Sequence, residues 1–214
     1  MEPSPRRGAI VLAGGKSTRM GRDKAWLPFG EAGGTMLSRV VSVLSRTVSE
    51  IVIVARQGQP LPDVSRAAGT ASVTRVDDEV EGRGPVGGLV PGLRALSAPV
   101  AFASACDVPF LSEALVRSMF EALGDADVAI PDAEGFLHPL GAVYRRSVLP
   151  HLETLLAEDR LRPIFLLERV PHVTVSEAQL RLVDPDLSSL ANVNSPEAYE
   201  AALVRARRER GPPG

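Results

Sequence analysis

The chain has 214 residues and a formal net charge of −2 at pH 7, which argues against generic binding to nucleic acid or to an anionic membrane. Its single cysteine, Cys106, excludes an intrachain disulfide and an all-cysteine metal site. No apolar run reaches the roughly 18 residues of a membrane span, and the short basic N-terminus does not resemble a signal peptide. We therefore expect a cytoplasmic protein.

Short apolar runs alternate with amphipathic segments along the first half of the chain. Ser112 is placed to cap one of the amphipathic segments, although its capping box is partial. Strands that are apolar on both faces and alternate with helices predict an α/β domain with a doubly wound, mostly parallel sheet. The predicted strands are residues 8–12, 50–55, 71–76, 100–105 and 127–131, and the predicted helices are 36–45, 86–96 and 112–123.

The second half of the chain has a more mixed pattern. Ser195 and Pro196 begin its last helix well, as the N-cap and the first helical residue. There is no internal repeat and no long linker, so we expect a single domain over 1–214 with its core at about 8–200. Strands are predicted at 136–144, 172–175 and 190–193, and helices at 149–157, 163–169 and 196–208.

The segment LAGGKSTRMGRDK, residues 12–24, follows the first predicted strand. Backbone N–H groups in a glycine-rich turn can cradle phosphate oxygens, and Arg19 and Lys24 could neutralise the remaining charge of a polyphosphate. The segment has neither the spacing of a P-loop nor the dinucleotide fingerprint G-x-G-x-x-G. It therefore predicts a different triphosphate-binding loop, and the alternative is an ordinary strand-to-helix turn made tight by its glycines.

Asp107 follows the fourth predicted strand. Because ligands bind at the carboxyl ends of parallel strands, Gly14 and Asp107 should line one crevice. A carboxylate that faces a triphosphate there is a suitable Mg²⁺ ligand, since magnesium takes hard oxygen ligands together with substrate phosphates. The alternative is that Asp107 caps the following helix, a role for which Ser112 is better placed.

The sequence GRGPVGGL, residues 82–89, follows the acidic cluster 77–79. Glycines at the start of a helix would let a flat base lie against the backbone, and one of the acids could accept hydrogen bonds from a ribose or a base. The alternatives are that Gly87 and Gly88 pack tightly on the sheet and that the acidic cluster is a solvated loop.

Three more polar side chains are candidates for contact with a second substrate. His138 precedes a proline, and Asn192 and Asn194 would share a face of an extended segment. Two amides on one face could bind a polar ligand such as a pterin. The alternatives are a packed or surface histidine and a pair of asparagines that closes a turn.

Taken together, these segments resemble the molybdenum cofactor guanylyltransferases over about residues 8–200. The resemblance implies a Rossmann-like nucleotidyltransferase fold and a Mg²⁺-dependent reaction. In that reaction GTP and molybdopterin-type molybdenum cofactor give the guanine dinucleotide cofactor and pyrophosphate. Partners could include other cofactor-biosynthesis proteins or the acceptor molybdoenzyme. The matching motifs are LAGG at 12–15, Ser17, RMG at 19–21, DK at 23–24, GPxxG at 84–88, DxPF at 107–110, HP at 138–139 and NxNSPE at 192–197.

The resemblance also implies roles for individual residues. It assigns residues 8–131 to the nucleotide and 132–208 to the pterin side, with Asp107 as the Mg²⁺ ligand. Asp77 matches the family's acidic nucleotide contact by its distance from Gly84, whereas Asp78 is one residue off. The implied catalytic residues are Arg19, Lys24 and Asp107; the nucleotide contacts are Leu12, Ala13, Gly14, Gly15, Lys24, Asp77, Gly84 and Asp107; the pterin-side residues are His138, Asn192 and Asn194.

Two departures from the family pattern stand out. The family often has an asparagine after the second strand, but residues 52–57 contain none, and Val86-Gly87 stands where Leu-Ala is usual. The alternatives are a cytidylyltransferase that acts on the same pterin, a sugar-phosphate nucleotidyltransferase, or a non-catalytic carrier of nucleotide or cofactor. Cytidine-using relatives tend to open with Pro-Ala-Ala-Gly, so the LAGG opening favours guanine.

Overall fold

The computed structural model describes residues 6–14, 23–30, 33–78 and 82–210. A sheet of eight strands forms its centre. The strands are β1 Arg7–Leu12, β2 Glu50–Arg56, β3 Ser72–Asp78, β4 Val100–Ala105, β5 Val128–Ala133, β6 Phe136–Leu137, β7 Val143–Arg145 and β8 His172–Ser176. The helices are α1 Met36–Leu44, α2 Ser65–Ala68, α3 Gly84–Ala95, α4 Glu113–Ala122, α5 Leu149–Ala157, α6 Glu177–Arg181 and α7 Pro196–Arg210.

The sheet is mostly parallel, as the sequence predicts. Its strand order is β3-β2-β1-β4-β7-β5-β6, and β8 pairs with β5. The ladders β2–β3, β1–β2, β1–β4 and β5–β8 are parallel, whereas β7 runs antiparallel to both β4 and β5. Because β1 to β4 run in the same direction, their carboxyl ends meet at one edge of the sheet, where α/β folds bind ligands.

Helices cover both faces of the sheet, because the central strands carry apolar side chains on both faces. All six residues of β4 are buried, whereas β3 is exposed along most of its length and forms one edge. One face packs against α1, α4 and α6, and the other packs against α3 and α5. This arrangement is the doubly wound fold that strands apolar on both faces predict.

A third apolar cluster lies beside the sheet and attaches the last helix to the N-terminal half. Leu27 and Met36 pack there with Val193 and with Ala202 and Ala206 of α7. The cap of α7 is the predicted one, since the Ala198 amide donates to Ser195 Oγ at 3.2 Å. Chain segments that are far apart in sequence therefore share one small core.

Two of the predicted strands are wrong. Residues 136–144 form two separate strands, β6 and β7, because Pro139 has no N–H group and interrupts the ladder. Residues 190–193 lie outside the sheet: Ser188–Leu190 is a 3-10 turn, and Val193 packs toward α7 instead. The predicted helix at 163–169 is a 3-10 helix, Pro163–Glu168.

The other predicted elements are present, with boundaries shifted by a few residues. β3 extends to Asp78, α3 begins at Gly84, and β5 ends at Ala133. Ser112 caps α4 as predicted, because its hydroxyl accepts a hydrogen bond from the Leu115 amide at 3.1 Å. Among the described residues, no helix combines the length and apolarity needed to span a bilayer.

Candidate active site

The carboxyl ends of β1 and β4 lie side by side at one edge of the sheet. Leu12 pairs with Ala105 in the ladder, and the Cys106 amide donates to the Leu12 carbonyl at 3.1 Å. Gly14 and Asp107 each follow this pair by two residues. Gly14 and Asp107 therefore lie near each other at this edge of the sheet, and a shared ligand crevice stays a prediction.

Lys24, Asp107, Asn192 and Asn194 form one hydrogen-bond network at this edge. Lys24 Nζ donates to Asp107 Oδ2 at 2.7 Å and to Asn194 Oδ1 at 2.6 Å. Asn192 Nδ2 donates to the other carboxylate oxygen, Asp107 Oδ1, at 2.7 Å. The Lys24 side chain is 18% exposed and that of Asp107 is 9% exposed, so the pair is largely shielded from water while still reachable by a ligand.

Asn192 and Asn194 flank Val193, and both of their side chains join this network. The Val193 amide donates to the backbone carbonyl of Asp107 at 2.8 Å, and its side chain turns away into the cluster around Leu27. The alternation between Val193 and its neighbours agrees with the prediction that Asn192 and Asn194 share a face. Their amides contact Asp107 and Lys24 rather than closing a turn.

The start of the glycine-rich segment is anchored to the neighbouring strand. The amides of Ala13 and Gly14 both donate to the Val54 carbonyl, at 2.8 and 3.2 Å. A methyl group added at Gly14 would lie 3.2 Å from the Arg56 backbone nitrogen, which explains the need for glycine there. The amides of Ala13 and Gly14 are therefore already paired with β2. Gly15 and Arg19 lie outside the described residues.

The two acids at the end of β3 face opposite sides of the sheet. Asp77 is exposed and forms an ion pair with Arg75 at 3.0 Å. Asp78 Oδ1 lies over the start of α3, where a methyl group added at Gly87 would be 3.7 Å away. Asp78 therefore approaches the α3 helix start, whereas Asp77, the better match by sequence distance, points to the other face.

The glycines of α3 divide between two roles. A methyl group added at Gly88 would lie 2.8 Å from the Leu12 side chain, so this residue allows close packing on the sheet, as one alternative predicted. Gly84 begins the helix with a left-handed φ of 58° and is exposed. A methyl group added at Gly84 would lie 2.9 Å from the Leu161 carbonyl oxygen, so Gly84 also permits a close backbone approach, while Gly88 packs on the sheet.

His138 lies on the same edge of the sheet but makes local hydrogen bonds. Because β7 is antiparallel to β4, the chain before β7 runs past the carboxyl end of β4, and the Ala103 amide donates to the Ala142 carbonyl at 2.8 Å. The His138 ring nitrogen Nε2 is 3.2 Å from the Ala133 carbonyl oxygen. It is half-buried and bonded to its own hairpin, unlike the asparagines.

Two polar residues of the site were not identified as such from the sequence. Gln59, in the turn after β2, is 4% exposed and bonds to Asp23, which directly precedes Lys24. Asp23 belongs to a motif of the resemblance, but no role was assigned to it. Nothing in the local pattern around Gln59 marks it, because its partners lie 46 and 36 residues away in sequence.

The family model described as the MobA-like NTP transferase domain matches residues 9–173. The chain belongs to this family. The match spans β1 to β8, and therefore includes the strand ends that carry Leu12, Asp78 and Asp107.

Similar proteins extend the MobA-like match over almost the whole chain. A protein of Mycobacterium avium named "Probable molybdenum cofactor guanylyltransferase" is 38% identical over 97% of this chain and 100% of its own length. One of the same name from Methanosarcina acetivorans is 34% identical over 92% of this chain and 90% of its own.

Solved structures show the same fold. Molybdopterin-guanine dinucleotide biosynthesis protein A from Archaeoglobus fulgidus superposes with a TM-score of 0.73 at 24% identity, covering 92% of this chain and 97% of the other. The 2-C-methyl-D-erythritol 4-phosphate cytidylyltransferase of Thermus thermophilus gives a TM-score of 0.66 at 18% identity, covering 93% of this chain and 98% of its own. At these identities the likeness concerns the fold alone.

The donor set of this MobA-like site fits a magnesium ion that arrives with a nucleotide. Within the described residues, no group of three or more His, Cys, Asp and Glu side chains is placed to hold a metal. Asp107 alone offers two hard oxygens, each with one protein donor and one further lone-pair side. Magnesium commonly uses one or two carboxylates together with substrate phosphates and water, so one carboxylate is sufficient.

Proposed function

We propose that this protein transfers GMP from GTP to molybdopterin-type molybdenum cofactor, giving the guanine dinucleotide cofactor and pyrophosphate. The observation that carries the proposal is the network of Lys24, Asp107, Asn192 and Asn194 at the carboxyl edge of a MobA-like sheet. The names of the relatives supply the substrates, and the network supplies the groups that such a transfer requires.

The reaction is a displacement at phosphorus. An oxygen of the pterin's terminal phosphate attacks the α-phosphorus of GTP, a new P–O bond forms, and the bond to the bridging oxygen breaks to release pyrophosphate. The nucleophile is already an oxyanion, so no general base is required. Alignment of the two substrates and stabilisation of the developing charge therefore carry most of the catalysis.

The nucleotide half of the site is proposed to lie at the ends of β1, β3 and β4. Lys24 is proposed to bind the phosphates of GTP, with Arg19 stabilising the departing pyrophosphate. The backbone from Leu12 to Gly15 and the start of α3 at Gly84 are proposed to contact the nucleoside. Asp78 joins Asp77 as a candidate for the acidic contact, because it is the acid that faces α3.

Asp107 is the residue that would hold Mg²⁺. When bound, the ion would neutralise phosphate charge and make the α-phosphorus easier to attack. Lys24 Nζ donates to one oxygen of the carboxylate at 2.7 Å, and Asn192 Nδ2 donates to the other oxygen at 2.7 Å. These two donors fix the orientation of the Asp107 carboxylate.

The pterin side is proposed to begin at the two asparagines. Asn192 donates from Nδ2 to Asp107, and Asn194 accepts at Oδ1 from Lys24. Each side-chain amide has both a donor and an acceptor group, so each asparagine has one further group that can bond. The opposite ends can face a polar second substrate, with His138 further along the same edge. This arrangement would join the halves 8–131 and 132–208 at the reacting phosphates. A cytoplasmic location is part of the proposal.

Asp107→Asn tests the proposal, because it keeps the size of the side chain and removes its charge. Pyrophosphate release is measured with GTP and molybdopterin-type molybdenum cofactor, and CTP is the competing nucleotide. We expect wild-type turnover with GTP well above that with CTP, and turnover of the variant near the background rate. Equal rates with CTP would favour a cytidylyltransferase, and near-normal activity of Asp107→Asn would exclude the metal role.

A further inference from the structure

Gln59 is a buried amide with no role in the proposed chemistry. It lies in the turn after β2, and it is 4% exposed. Its Oε1 accepts a hydrogen bond from the Arg56 amide at 3.0 Å, so its own turn fixes the orientation of the side chain. A buried amide needs hydrogen-bond partners for both its oxygen and its nitrogen. The partners of the nitrogen, Nε2, indicate the role of this residue.

The Nε2 group of Gln59 joins two points that are distant in the glycine-rich segment. It donates to the Ala13 carbonyl at 3.2 Å and to Asp23 Oδ2 at 2.6 Å. Ala13 ends the part anchored to β2, and Asp23 is the residue before Lys24. One side chain therefore holds Ala13 and Asp23 within hydrogen-bond reach of a single nitrogen, although they lie ten residues apart in sequence.

Asp23 links Gln59 to the 3-10 turn that contains Lys24. Its second oxygen, Oδ1, accepts a hydrogen bond from the Ala25 amide at 3.0 Å and so caps the 3-10 turn Lys24–Trp26. The far end of the same turn is also attached, because Trp26 Nε1 donates to the Pro60 carbonyl at 3.0 Å. The turn after β2 therefore holds the Lys24 backbone through two separate contacts.

We propose that Gln59 is a positioning residue for nucleotide binding: it holds Ala13 and Asp23 in place and thereby sets the position of Lys24. The inference rests on the proposed function, since it takes the loop and Lys24 to bind the phosphates of GTP. A preorganised loop binds a ligand more tightly because less of the binding free energy is lost in ordering it. Gln59 would thus act mainly on the binding of GTP, because its side chain bonds to Arg56, Ala13 and Asp23 and to neither asparagine of the pterin side.

Only a primary amide suits this place. Two donors from one nitrogen are needed, one for a carbonyl and one for a carboxylate. A glutamate of the same shape has no such donors when ionised and would lie against the Asp23 carboxylate at the position where Nε2 is now 2.6 Å away. A leucine of similar size would leave the Ala13 carbonyl and Asp23 without this partner.

The experiment compares Gln59→Glu and Gln59→Leu with wild type and with Val175→Ala. Val175 is 4% exposed on β8, a strand far from the ends of β1 and β4, so this variant controls for a general loss of stability. GTP binding is measured by calorimetry and by the emission of Trp26, the single tryptophan, which lies two residues from Lys24. Steady-state kinetics then give KM for each substrate.

We expect both Gln59 variants to bind GTP about tenfold more weakly, the size of the loss of one or two buried hydrogen bonds. KM for the pterin should stay within about twofold, and Val175→Ala should bind GTP as wild type does even where its Tm falls. Unchanged GTP binding in Gln59→Leu, with a lower Tm alone, would overturn the positioning role.

Failure of the proposed function gives a different pattern. A wild-type protein that binds GTP but releases no pyrophosphate overturns the transferase proposal, while the calorimetric comparison of the Gln59 variants still supports or overturns the positioning role. A wild-type protein that binds no nucleoside triphosphate overturns both.

Discussion

Replacing Lys24 with methionine removes the ammonium group and keeps most of the apolar stem. The lost contacts are the ion pair to Asp107 at 2.7 Å and the hydrogen bond to Asn194 at 2.6 Å. Removing one partner of a fully buried ion pair costs about 3–5 kcal/mol, and removing an exposed one costs less than about 1 kcal/mol. With side chains 18% and 9% exposed, this pair lies between these cases, so the free energy of unfolding should fall by about 2 kcal/mol.

The effect of Lys24→Met on turnover should be larger than its effect on stability suggests. Loss of one preorganised charge contact to a reacting phosphate lowers the rate on the order of 10²-fold. The free energy of unfolding is measured by urea denaturation, and turnover by pyrophosphate release at saturating and at low GTP. These two measurements separate the stabilising role of the ion pair from its role with the nucleotide.

Arg117→Met is the matched control for Lys24→Met. Arg117 pairs with Glu113 at 2.6 Å on the surface of α4, with side chains 51% and 34% exposed. Its loss should cost under about 0.5 kcal/mol and leave turnover unchanged. The reasoning is refuted if Lys24→Met unfolds at the same urea concentration as Arg117→Met, or if its kcat/KM for GTP stays within about threefold of wild type.

Two predictions concern titratable groups. Burial, together with the Asp107 carboxylate, raises the pKa of the Cys106 thiol, so Ellman's reagent at pH 8 should label it far more slowly in the folded protein than in urea. Rapid stoichiometric labelling without denaturant would contradict that burial. Burial works to raise the pKa of Glu50, but hydrogen bonds from Ser97 and Ala98 outweigh it and hold the pKa below 4.5. This stabilisation is fully present above the unfolded pKa of 4.5 and is lost as pH falls through the lower folded value. Glu50→Gln should therefore be less stable than wild type at pH 7, and the difference in urea midpoint should shrink at acid pH; a constant difference would refute the assignment.

The local signals in the sequence were sufficient for most of the fold. β4 is buried over its whole length and reads as an apolar run, and Ser112 and Ser195 cap their helices as their positions predict. These features depend on neighbours within four residues, so a short window of sequence contains their cause. The position of Asp107 is also predictable locally, because it follows an apolar run that reads as a strand. The carboxyl ends of parallel strands meet at one edge of the sheet, so the residue is placed there.

Contacts between distant segments depended on packing that no window contains. Pro139 divides a segment that its apolar pattern predicts as one strand, and Val193 lies outside the sheet, where it packs with Leu27 and with α7. The choice between Asp77 and Asp78 follows from which face of β3 looks toward α3. Each of these outcomes depends on contacts between segments that are distant in sequence, and these contacts exist only in the folded chain.

The sequence by itself determined most of the strands and helices, the presence of a glycine-rich segment after β1 and the position of Asp107 after β4. Tertiary structure alone decided that Asn192 and Asn194, 85 and 170 residues from their partners, contact Asp107 and Lys24, and that Gln59 bonds to Ala13 and Asp23. The physical reason is that a hydrogen bond acts only over a short distance in space. The residues that separate its two partners in the sequence therefore do not indicate that the partners will meet. Burial of Val193 beside Leu27 brings the asparagines to the site, and only there do their amides find the charges they bind.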